Sequence, residues 1–526
     1  MLPLENLCPD ALGASLEIED FILIDTLRNA DVLVIGGGSA GCTVAGRLAA
    51  AGRQVLLIEA GPDYGPRTSP DWPADLLNAR TLPTSHDWGY TGPGGAGQPL
   101  ALDRCRVIGG CSTHNGTTQN VGWAGDYDRW AAQGCPGWDA ASLAPLFESA
   151  LHRYWARHYR QHEIQPFHQA VLGAATAQGL PLVSDFHQLT GGAGAGCAPV
   201  NSSLEGVRLN AAFAYLDPVR DSGQLEVLCD TLVQRISFKD GRAQAVHILH
   251  QGVEQRLPAK LIVLCAGTYG SPEILLRSGI GPRDHLAELQ IPLTHDLPGV
   301  GCNLHDQPTA NLEYEGTQAL AEALAAFEAD RVLMDEQTII KLRSPFAGSA
   351  PYDLHVFPWI ERDPSLKHGW RCIFPVGLLR PRSRGSLQLT SSDPRAAAAI
   401  DTGFFADPED LPPMLFGLQW TQELIRSPAL ANFIGAPLAT LPQQQTELTE
   451  WVRRNHRHYW HPVGTCRMGP ASDPYAVVEH TGKVHGLEGL HVADASVFPE
   501  VPRGTTALPC AVVGERIALF LLSGAC

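Results

Sequence analysis

The sequence predicts an α/β protein whose first part contains a parallel sheet of the Rossmann type. Its 526 residues are too many for one hydrophobic core, so two joined domains are expected. Residues 31–35 (DVLVI) are typical of a buried strand, and a glycine-rich turn and a helical stretch to about Ala51 follow them. Residues 54–58 read as a second strand, and the apolar runs 227–229 and 261–265 read as further buried strands. Strand, turn, helix and strand in this order indicate a βαβ unit.

The turn after the first predicted strand reads GGGSAG at residues 36–41, which matches the GxGxxG pattern of dinucleotide-binding units. In such a unit Gly36 makes the tight turn, Gly38 lets the backbone approach a pyrophosphate, and Gly41 allows close contact of helix and strand. The pyrophosphate binds to free N–H groups at the helix N-terminus. Glu59 follows the second strand, where an acidic side chain meets a ribose hydroxyl. The unit predicts a nucleotide cofactor but does not separate FAD from NAD.

The composition limits the expected partners and location. A net charge of −17 disfavours nucleic acid and anionic lipid as partners. No run of about 18 apolar residues indicates a membrane span. Residues 1–29 form a predicted N-terminal extension with scattered acidic residues and no basic residue before Arg28, which is unlike a secretory signal. The 13 cysteines are scattered and include no CxxC pair, so reduced thiols and a cytoplasmic location are expected.

Five blocks along the chain carry a family resemblance. The first is the βαβ unit, which ends LIEAG at residues 57–61. The others, in order, are RVIGGCSTHNG at 106–116 with DYDRW at 126–130, AGTYGSP at 266–272, PGVGCNLHD at 298–306, and HPVGTCRMG at 461–469 with GLHVADAS at 489–496. In these blocks, which span almost its whole length, the chain resembles the glucose-methanol-choline oxidoreductases.

The resemblance implies two domains that are each assembled from separate segments. A Rossmann-type FAD-binding domain would comprise residues 30–155, 205–305 and 465–526. A smaller α+β substrate-binding domain, built on an antiparallel sheet, would comprise residues 156–204 and 306–464.

The resemblance also implies FAD as the cofactor and a set of residues around it. Asp494 and Ala495 would contact the pyrophosphate or the ribityl chain, Val233 would face the adenine, and residues 115–117 would line the isoalloxazine. The cofactor-binding residues expected from the glycine turn and the resemblance together are Gly36, Gly38, Ser39, Ala40, Gly41, Glu59, Ala60, Arg106, Val107, Gly110, Ser112, His114, Asn115, Gly116, Thr117, Val233, Ala266, Trp460, Asp494, Ala495 and Thr506.

His461 is the expected catalytic base. It begins the HPVGT segment, where the family that this chain resembles places a histidine facing flavin N5. Oxidation of an alcohol to an aldehyde or ketone removes a proton and a hydride, and flavin accepts the hydride. A neutral imidazole with a pKa of about 6.5 suits removal of the proton at neutral pH. The predicted substrate is a small-molecule alcohol, while oxygen, a quinone or a carrier protein are open as the acceptor that reoxidises the flavin.

Two positions depart from the family pattern. Thr505 stands where most members have a second catalytic histidine or an asparagine, and its hydroxyl either donates to the substrate oxygen or caps a helix beginning near Ala507. His114 stands where many members have an aliphatic residue, in a segment that resembles the one by which choline-oxidising members attach FAD covalently. Covalent attachment of FAD through His114 is expected, and a histidine that only stacks beside the flavin is the alternative.

A second class of function is open under the same resemblance. Some members keep the flavin but act as lyases or light-driven decarboxylases without net alcohol oxidation, because fold does not fix function. The sequence favours oxidation of an alcohol by hydride transfer to FAD with His461 as the base. The oligomeric state is left open.

Overall fold

A computed structural model describes residues 30–524, so the predicted extension, residues 1–29, lies outside the described residues. The α-helices of this range are α1 (Ser39–Ala50), α2 (Ala74–Leu77), α3 (Ala124–Ala132), α4 (Ala140–Arg153), α5 (Pro166–Ala177), α6 (Gly267–Arg277), α7 (Arg283–Glu288), α8 (Gln318–Glu328), α9 (Leu411–Ile425), α10 (Gln445–Asn455) and α11 (Ala507–Ser523). None of the helices between residues 30 and 524 combines the length and the apolar character needed to cross a membrane.

The strands of the same range are β1 (Val32–Ile35), β2 (Val55–Ile58), β3 (Thr91–Pro93), β4 (Pro99–Ala101), β5 (Gly194–Cys197), β6 (Leu225–Leu228), β7 (Thr231–Lys239), β8 (Arg242–His250), β9 (Val253–Pro258), β10 (Ile262–Leu264), β11 (Ile280–Gly281), β12 (His295–Asp296), β13 (Pro308–Gly316), β14 (Thr338–Leu342), β15 (Leu354–Val356), β16 (Trp359–Arg362), β17 (Trp370–Leu378), β18 (Ser386–Gln388), β19 (Ala399–Asp401), β20 (Ile434–Pro437), β21 (His456–His458) and β22 (Leu490–Val492).

A five-stranded parallel sheet has the strand order β22-β10-β1-β2-β6. All residues of β1, β2 and β10 are buried, as is typical of parallel strands that are covered on both faces. Val34 of β1 is aligned with Leu57 of β2 and with Val263 of β10. Helix α11 packs against α1 and α4, while α6 packs against the antiparallel sheet of β7, β8 and β9. This arrangement confirms the predicted Rossmann-type α/β part.

An eight-stranded antiparallel sheet forms the second part of the protein. Six of its strands follow the order β20-β13-β17-β15-β14-β5, while β16 pairs with β17 and β21 pairs with β13. Helices α5, α8, α9 and α10 contribute apolar side chains to its core, where they join Phe374 and Val376 of β17. An antiparallel sheet with helices packed against it confirms the predicted α+β character.

The strands of the parallel sheet lie in the residue ranges predicted for the FAD-binding domain, and those of the eight-stranded sheet lie in the other predicted ranges. Three apolar residues do not follow this division. They fall in the range predicted for the substrate-binding domain but pack in the core of the parallel-sheet part: Leu387, Leu389 and Ile400. Strands β18 and β19, which carry Leu387 and Ile400, pair with each other. The segment that carries β18 and β19 therefore packs with the parallel-sheet part, in addition to the three segments predicted for that part.

Two antiparallel segments at the edge of the eight-stranded sheet bring distant parts of the chain together. Pro308 of β13 is aligned with His458 of β21, and an isolated bridge joins His305 to Val463. The residues just before β13 therefore lie beside those just after β21. This pairing places Gln307 next to His461.

Candidate active site

The turn between β1 and α1 has the geometry that its glycines predict. Gly36 has a φ of +96°, and a Cβ at this position would lie 2.5 Å from the carbonyl oxygen of Cys265. A Cβ on Gly41 would overlap the carbonyl oxygen of Gly36. A Cβ on Gly38 would meet only the Cα of Gly110, at 4.0 Å. Gly38 therefore leaves space at the N-terminus of α1, where units of this kind bind a pyrophosphate.

Glu59, directly after β2, is oriented by the backbone around it. Its Oε2 accepts a hydrogen bond from the Gly37 N–H at 2.7 Å, and its Oε1 accepts one from the Gly61 N–H at 2.8 Å. Burial raises the pKa of this carboxyl group, and the two backbone hydrogen bonds oppose that effect. The carboxyl group is thus held at the end of β2, the place predicted for a ribose contact.

One cavity of about 700 Å³ extends from this turn to His461. Val233 of β7 lines one part of it, and the Thr505 segment before α11 lines another. The predicted site residues that line the cavity are Gly36, Gly38, Ser39, Ala40, Glu59, Ala60, Gly110, His114, Asn115, Gly116, Val233, Ala266, Trp460, His461, Asp494, Ala495, Thr505 and Thr506. The fold thus gathers around one space residues that the sequence distributes over four of the five blocks.

Five residues predicted to contact the cofactor do not line this cavity, and their contact with FAD stays a prediction. Gly41 faces the β1–α1 turn, and Val107 is fully buried in the hydrophobic core. The side chains of Arg106 and Ser112 each donate a hydrogen bond to a backbone carbonyl, at 3.0 Å and 2.6 Å. Thr117 is fully buried and has a φ of +60°.

Asp494 joins the cavity wall to helix α6. Its Oδ2 accepts hydrogen bonds from the Gly267 N–H at 2.9 Å and from the Ser271 hydroxyl at 2.6 Å. Its Oδ1 accepts a hydrogen bond from the Ser496 N–H at 2.8 Å. Burial raises the pKa of the carboxyl group against these contacts. Asp494 therefore fixes the N-terminus of α6 against the loop that carries Ala495.

His114 lies in the cavity wall beside Cys111. Burial acts to raise the pKa of the Cys111 thiol, but the charge of Arg104 and the nearby His114 lower it to about 6. Arg104 also donates a hydrogen bond to the carbonyl oxygen of Trp460 at 3.2 Å. His114 is thus placed on the cavity, and its covalent link to FAD stays a prediction.

His461 is held at both its backbone and its ring. Its N–H donates to Asp306 Oδ1 at 3.0 Å, and its Nδ1 lies 2.7 Å from Gln307 Oε1. Burial lowers the pKa of the imidazole to about 4. The charge of Asp306 opposes this decrease, and the charges of Arg104 and His458 add to it. At neutral pH the ring is therefore uncharged, as a general base must be.

Thr505 does not cap a helix. Helix α11 begins at Ala507, its N-cap residue is Thr506, and no side chain caps it. The Thr505 hydroxyl instead accepts from the Asn120 N–H at 3.3 Å and donates to the Thr118 carbonyl at 3.2 Å. The capping alternative is therefore wrong. The role of Thr505 as donor to a substrate oxygen stays a prediction, and it requires the Thr505 hydroxyl to break its hydrogen bond to the Thr118 carbonyl.

Glu336 and Gln307 are among the polar residues of the site that were not predicted from the sequence. Glu336 lines the cavity just before β14, and Gln307 contacts His461 from the residue before β13. Gln307 directly follows the PGVGCNLHD block, so the end of that block was the only local signal for it. Glu336 has no signal in the sequence around it, because only the packing of the two sheets brings it to the cavity.

The cavity suits FAD along its whole course. Space in front of the α1 N-terminus suits a pyrophosphate, the fixed carboxyl group of Glu59 suits a ribose, and Val233 offers an apolar contact. At the other end, a neutral His461 and the ring of Tyr459 line the space. These residues supply the contacts that an adenine dinucleotide with a flavin ring needs.

Comparisons with known proteins agree with this site. Two family models described as GMC oxidoreductase match residues 30–309 and 381–514. Choline oxidase of Arthrobacter globiformis is 32% identical over 94% of this chain and 95% of its own length. Human mitochondrial choline dehydrogenase is 32% identical over 92% of this chain and 88% of its own length.

Solved structures share the fold. Pyridoxine 4-oxidase from Mesorbium loti superposes with a TM-score of 0.83 at 25% identity, over 94% of this chain and 99% of that chain. Formate oxidase of Aspergillus oryzae has a TM-score of 0.82 at 21% identity and shows the fold alone, over 94% of this chain and 98% of that chain. The chain belongs to the GMC oxidoreductase family of FAD-dependent enzymes that oxidise alcohols.

Proposed function

We propose that this enzyme oxidises a small alcohol that carries a positively charged ammonium group, as choline does, to the corresponding aldehyde. The observation that carries this proposal is the carboxyl group of Glu336, which lines the same cavity as His461 and has no cationic partner among residues 30–524. The curated relatives named above are a choline oxidase and a choline dehydrogenase, which supports the same substrate class. None of the relatives and structures named above is a lyase or a decarboxylase.

Glu336 has few partners for its charge. Burial raises its pKa to about 7, and the opposing contact is a hydrogen bond from the Thr118 hydroxyl to Oε1 at 3.4 Å. A Cβ built on Gly116 would lie 3.1 Å from Oε2, so the carboxyl group lies over the Gly116 segment of the cavity wall. Glu336 is half-buried, and a carboxylate there without a cationic partner among the described residues is costly. A cationic substrate would supply that partner.

Aromatic rings extend from Glu336 to His461. Phe357, Trp359 and Tyr459 all line the cavity. The Phe357 and Tyr459 rings stack with centroids 4.1 Å apart, and the Tyr459 ring lies 4.5 Å from that of His461. Aromatic faces attract quaternary ammonium groups. We propose that the ammonium group binds between Glu336 and these rings, with the alcohol end of the substrate toward His461 in the same cavity.

The residues of the chain perform the proton half of the reaction. His461, which is neutral at pH 7, accepts the hydroxyl proton of the substrate. Bound FAD would supply the acceptor for the hydride that leaves the carbon bearing this hydroxyl group. The substrate thereby loses one proton and one hydride and becomes an aldehyde.

The substrate class is tested by comparing choline with 3,3-dimethylbutan-1-ol, which has the same shape but no charge. Anaerobic mixing of each alcohol with the FAD-loaded protein measures flavin reduction against alcohol concentration. We expect half-saturation at a roughly 10- to 100-fold lower concentration for choline. Glu336→Gln should remove most of that preference, since the amide keeps the shape and loses the charge.

Glu361→Gln is the matched control. Glu361 also lines the cavity, but its carboxylate lies 3.5 Å from Arg371 Nε, so it already has a cationic partner. This variant should keep the preference for choline. Equal half-saturation for the two alcohols in the unaltered protein, or an unchanged preference in Glu336→Gln, would contradict the proposal and favour neutral aromatic alcohols as substrates.

We also propose that the enzyme works in the cytoplasm. The support is that the 11 cysteines between residues 30 and 524 are free thiols, of which Cys42, Cys265 and Cys466 are buried in the core.

A further inference from the structure

The amide of Gln307 is fixed in one orientation by its surroundings. Its side chain is fully buried. Nε2 donates to the carbonyl oxygens of Leu379 at 2.9 Å, Pro502 at 3.0 Å and Gly504 at 3.3 Å. The opposite orientation would place Oε1 against three carbonyl oxygens, with no donor for it and no acceptor for the amide hydrogens. Oε1 must therefore point the other way, toward His461.

This orientation determines which nitrogen of His461 carries the proton. Oε1 of an amide only accepts hydrogen bonds, and it lies 2.7 Å from His461 Nδ1. Nδ1 must therefore be the protonated nitrogen of the neutral ring. Nε2 then keeps its lone pair and is the nitrogen that can accept a proton from a substrate.

Resting on the proposed function, we infer that Gln307 is a positioning residue that holds His461 in the Nδ1–H tautomer, so that Nε2 is the proton acceptor in alcohol oxidation. A neutral amide performs this task without adding a negative charge beside the ring. The same amide nitrogen holds the carbonyls of Pro502 and Gly504, which precede Thr505. Gln307 thus links the two segments that form the His461 end of the cavity.

The tautomer is measured directly by NMR of ¹⁵N-histidine-labelled, FAD-loaded protein. The His461 ring signals are assigned by their absence in His461→Ala. We expect the unaltered protein to show a protonated Nδ1 and an unprotonated Nε2 at pH 7. In Gln307→Met, which has a similar volume and no acceptor, the Nε2–H form should become substantially populated. A protonated Nε2 in the unaltered protein, or an unchanged tautomer in Gln307→Met, would overturn the inference.

Gln307→Glu separates positioning from structural support. Like methionine, the carboxylate loses the contacts to the three carbonyls, but it still accepts a hydrogen bond from Nδ1–H. Gln307→Met should slow flavin reduction by choline at least about 10-fold. The decrease should not exceed the ~10²- to 10⁴-fold expected when the base itself is removed in His461→Ala. Gln307→Glu should retain the Nδ1–H tautomer and be faster than Gln307→Met, with a pH profile shifted upward because a carboxylate favours imidazolium.

Different results would contradict the positioning role of Gln307 and the proposed oxidation of an alcohol. If Gln307→Met and Gln307→Glu are equally slow, equally destabilised and keep the same tautomer, Gln307 is a structural residue and the inference is wrong. If no alcohol reduces the flavin of the unaltered protein, or if His461→Ala is reduced as fast, the proposed function is wrong. The NMR spectrum still reports the tautomer in that case.

Discussion

The position of His461 follows from the block HPVGT, whereas its protonation depends on contacts that only the folded chain makes. Gln307 and Asp306 are separated from it by 154 and 155 residues, and strand pairing between β13 and β21 brings them beside it. The sequence block therefore predicts which histidine is the base, but neither its tautomer nor its lowered pKa. Thr505 shows the same limit, since only the folded chain shows that helix α11 has no side-chain cap and that the Thr505 hydroxyl donates to the Thr118 carbonyl.

The lowered pKa of His461 predicts an unusual pH dependence. Because burial lowers the pKa to about 4, the base form is present well below neutral pH. The rate of anaerobic flavin reduction at saturating alcohol should be flat from about pH 8 to about pH 5 and fall below it as His461 takes up a proton. Stopped-flow measurement across this range tests the prediction. A midpoint near pH 6.5, the value of an unperturbed imidazole, would contradict it.

The same shift affects stability in a defined direction. In the unfolded chain His461 has the ordinary pKa of about 6.5, so between that pH and about pH 4 the unfolded state binds the additional proton. The contribution of His461 to stability is thus present above about pH 6.5 and is lost as the pH falls through this window. When the pH is lowered from about 6.5 to about 4, the free energy of unfolding should therefore decrease less in His461→Ala than in the unaltered protein. Urea titrations at several pH values measure both decreases.

Covalent attachment of FAD through His114 is a separate prediction for a single residue. The imidazole lines the cavity, so it has access to a bound cofactor. After acid precipitation the yellow colour should stay in the pellet, while His114→Ala should fold and release FAD to the supernatant. His162→Ala is the control, because His162 is exposed and does not line the cavity, and it should retain the colour. Free FAD in the supernatant of the unaltered protein would rule out the link.

At the scale of elements, the β1–α1–β2 unit was predicted with bounds that the structure nearly reproduces. Buried apolar strands and obligatory glycines are local requirements, and local requirements are visible in a sequence. Strands β18 and β19 show the opposite case. Their packing against the first core depends on contacts with distant parts of the chain, which the sequence around them does not show.

Gly38→Val tests this element. Gly38 has φ −78° and ψ −166°, which valine adopts readily, and a Cβ there meets only the Gly110 Cα at 4.0 Å. The variant should therefore fold but lack FAD, because the added side chain fills the space in front of the α1 N-terminus. Its melting temperature should match that of His114→Ala from which FAD has been removed.

Gly192→Val is the matched control, since Gly192 is exposed and a Cβ there meets nothing within 4 Å. It should bind FAD normally. A Gly38→Val protein that purifies with a full complement of flavin would contradict the proposed pyrophosphate site.

At the scale of the whole molecule, the active site forms where the two sheets meet. The glycine turn, Glu59 and Asp494 belong to the parallel-sheet part, while Glu336, Phe357 and Tyr459 come from the part built on the antiparallel sheet. Two of the sequence blocks contain the first group, whereas no block contains Glu336 or Phe357. Family and reaction class were therefore predictable from the sequence, but the place of Glu336 in the cavity was not.

Oxidation of an alcohol by hydride transfer to FAD, with His461 as the base, is tested by anaerobic stopped-flow mixing of the FAD-loaded protein with choline. The absorbance of oxidised flavin is the readout, and it should disappear in the unaltered protein. In His461→Ala, which should fold and retain FAD, the same reduction should be slower by roughly 10²- to 10⁴-fold. Reduction of His461→Ala at the rate of the unaltered protein would show that His461 is not the base, and no reduction of either protein by choline and other alcohols would show that the reaction is a different one.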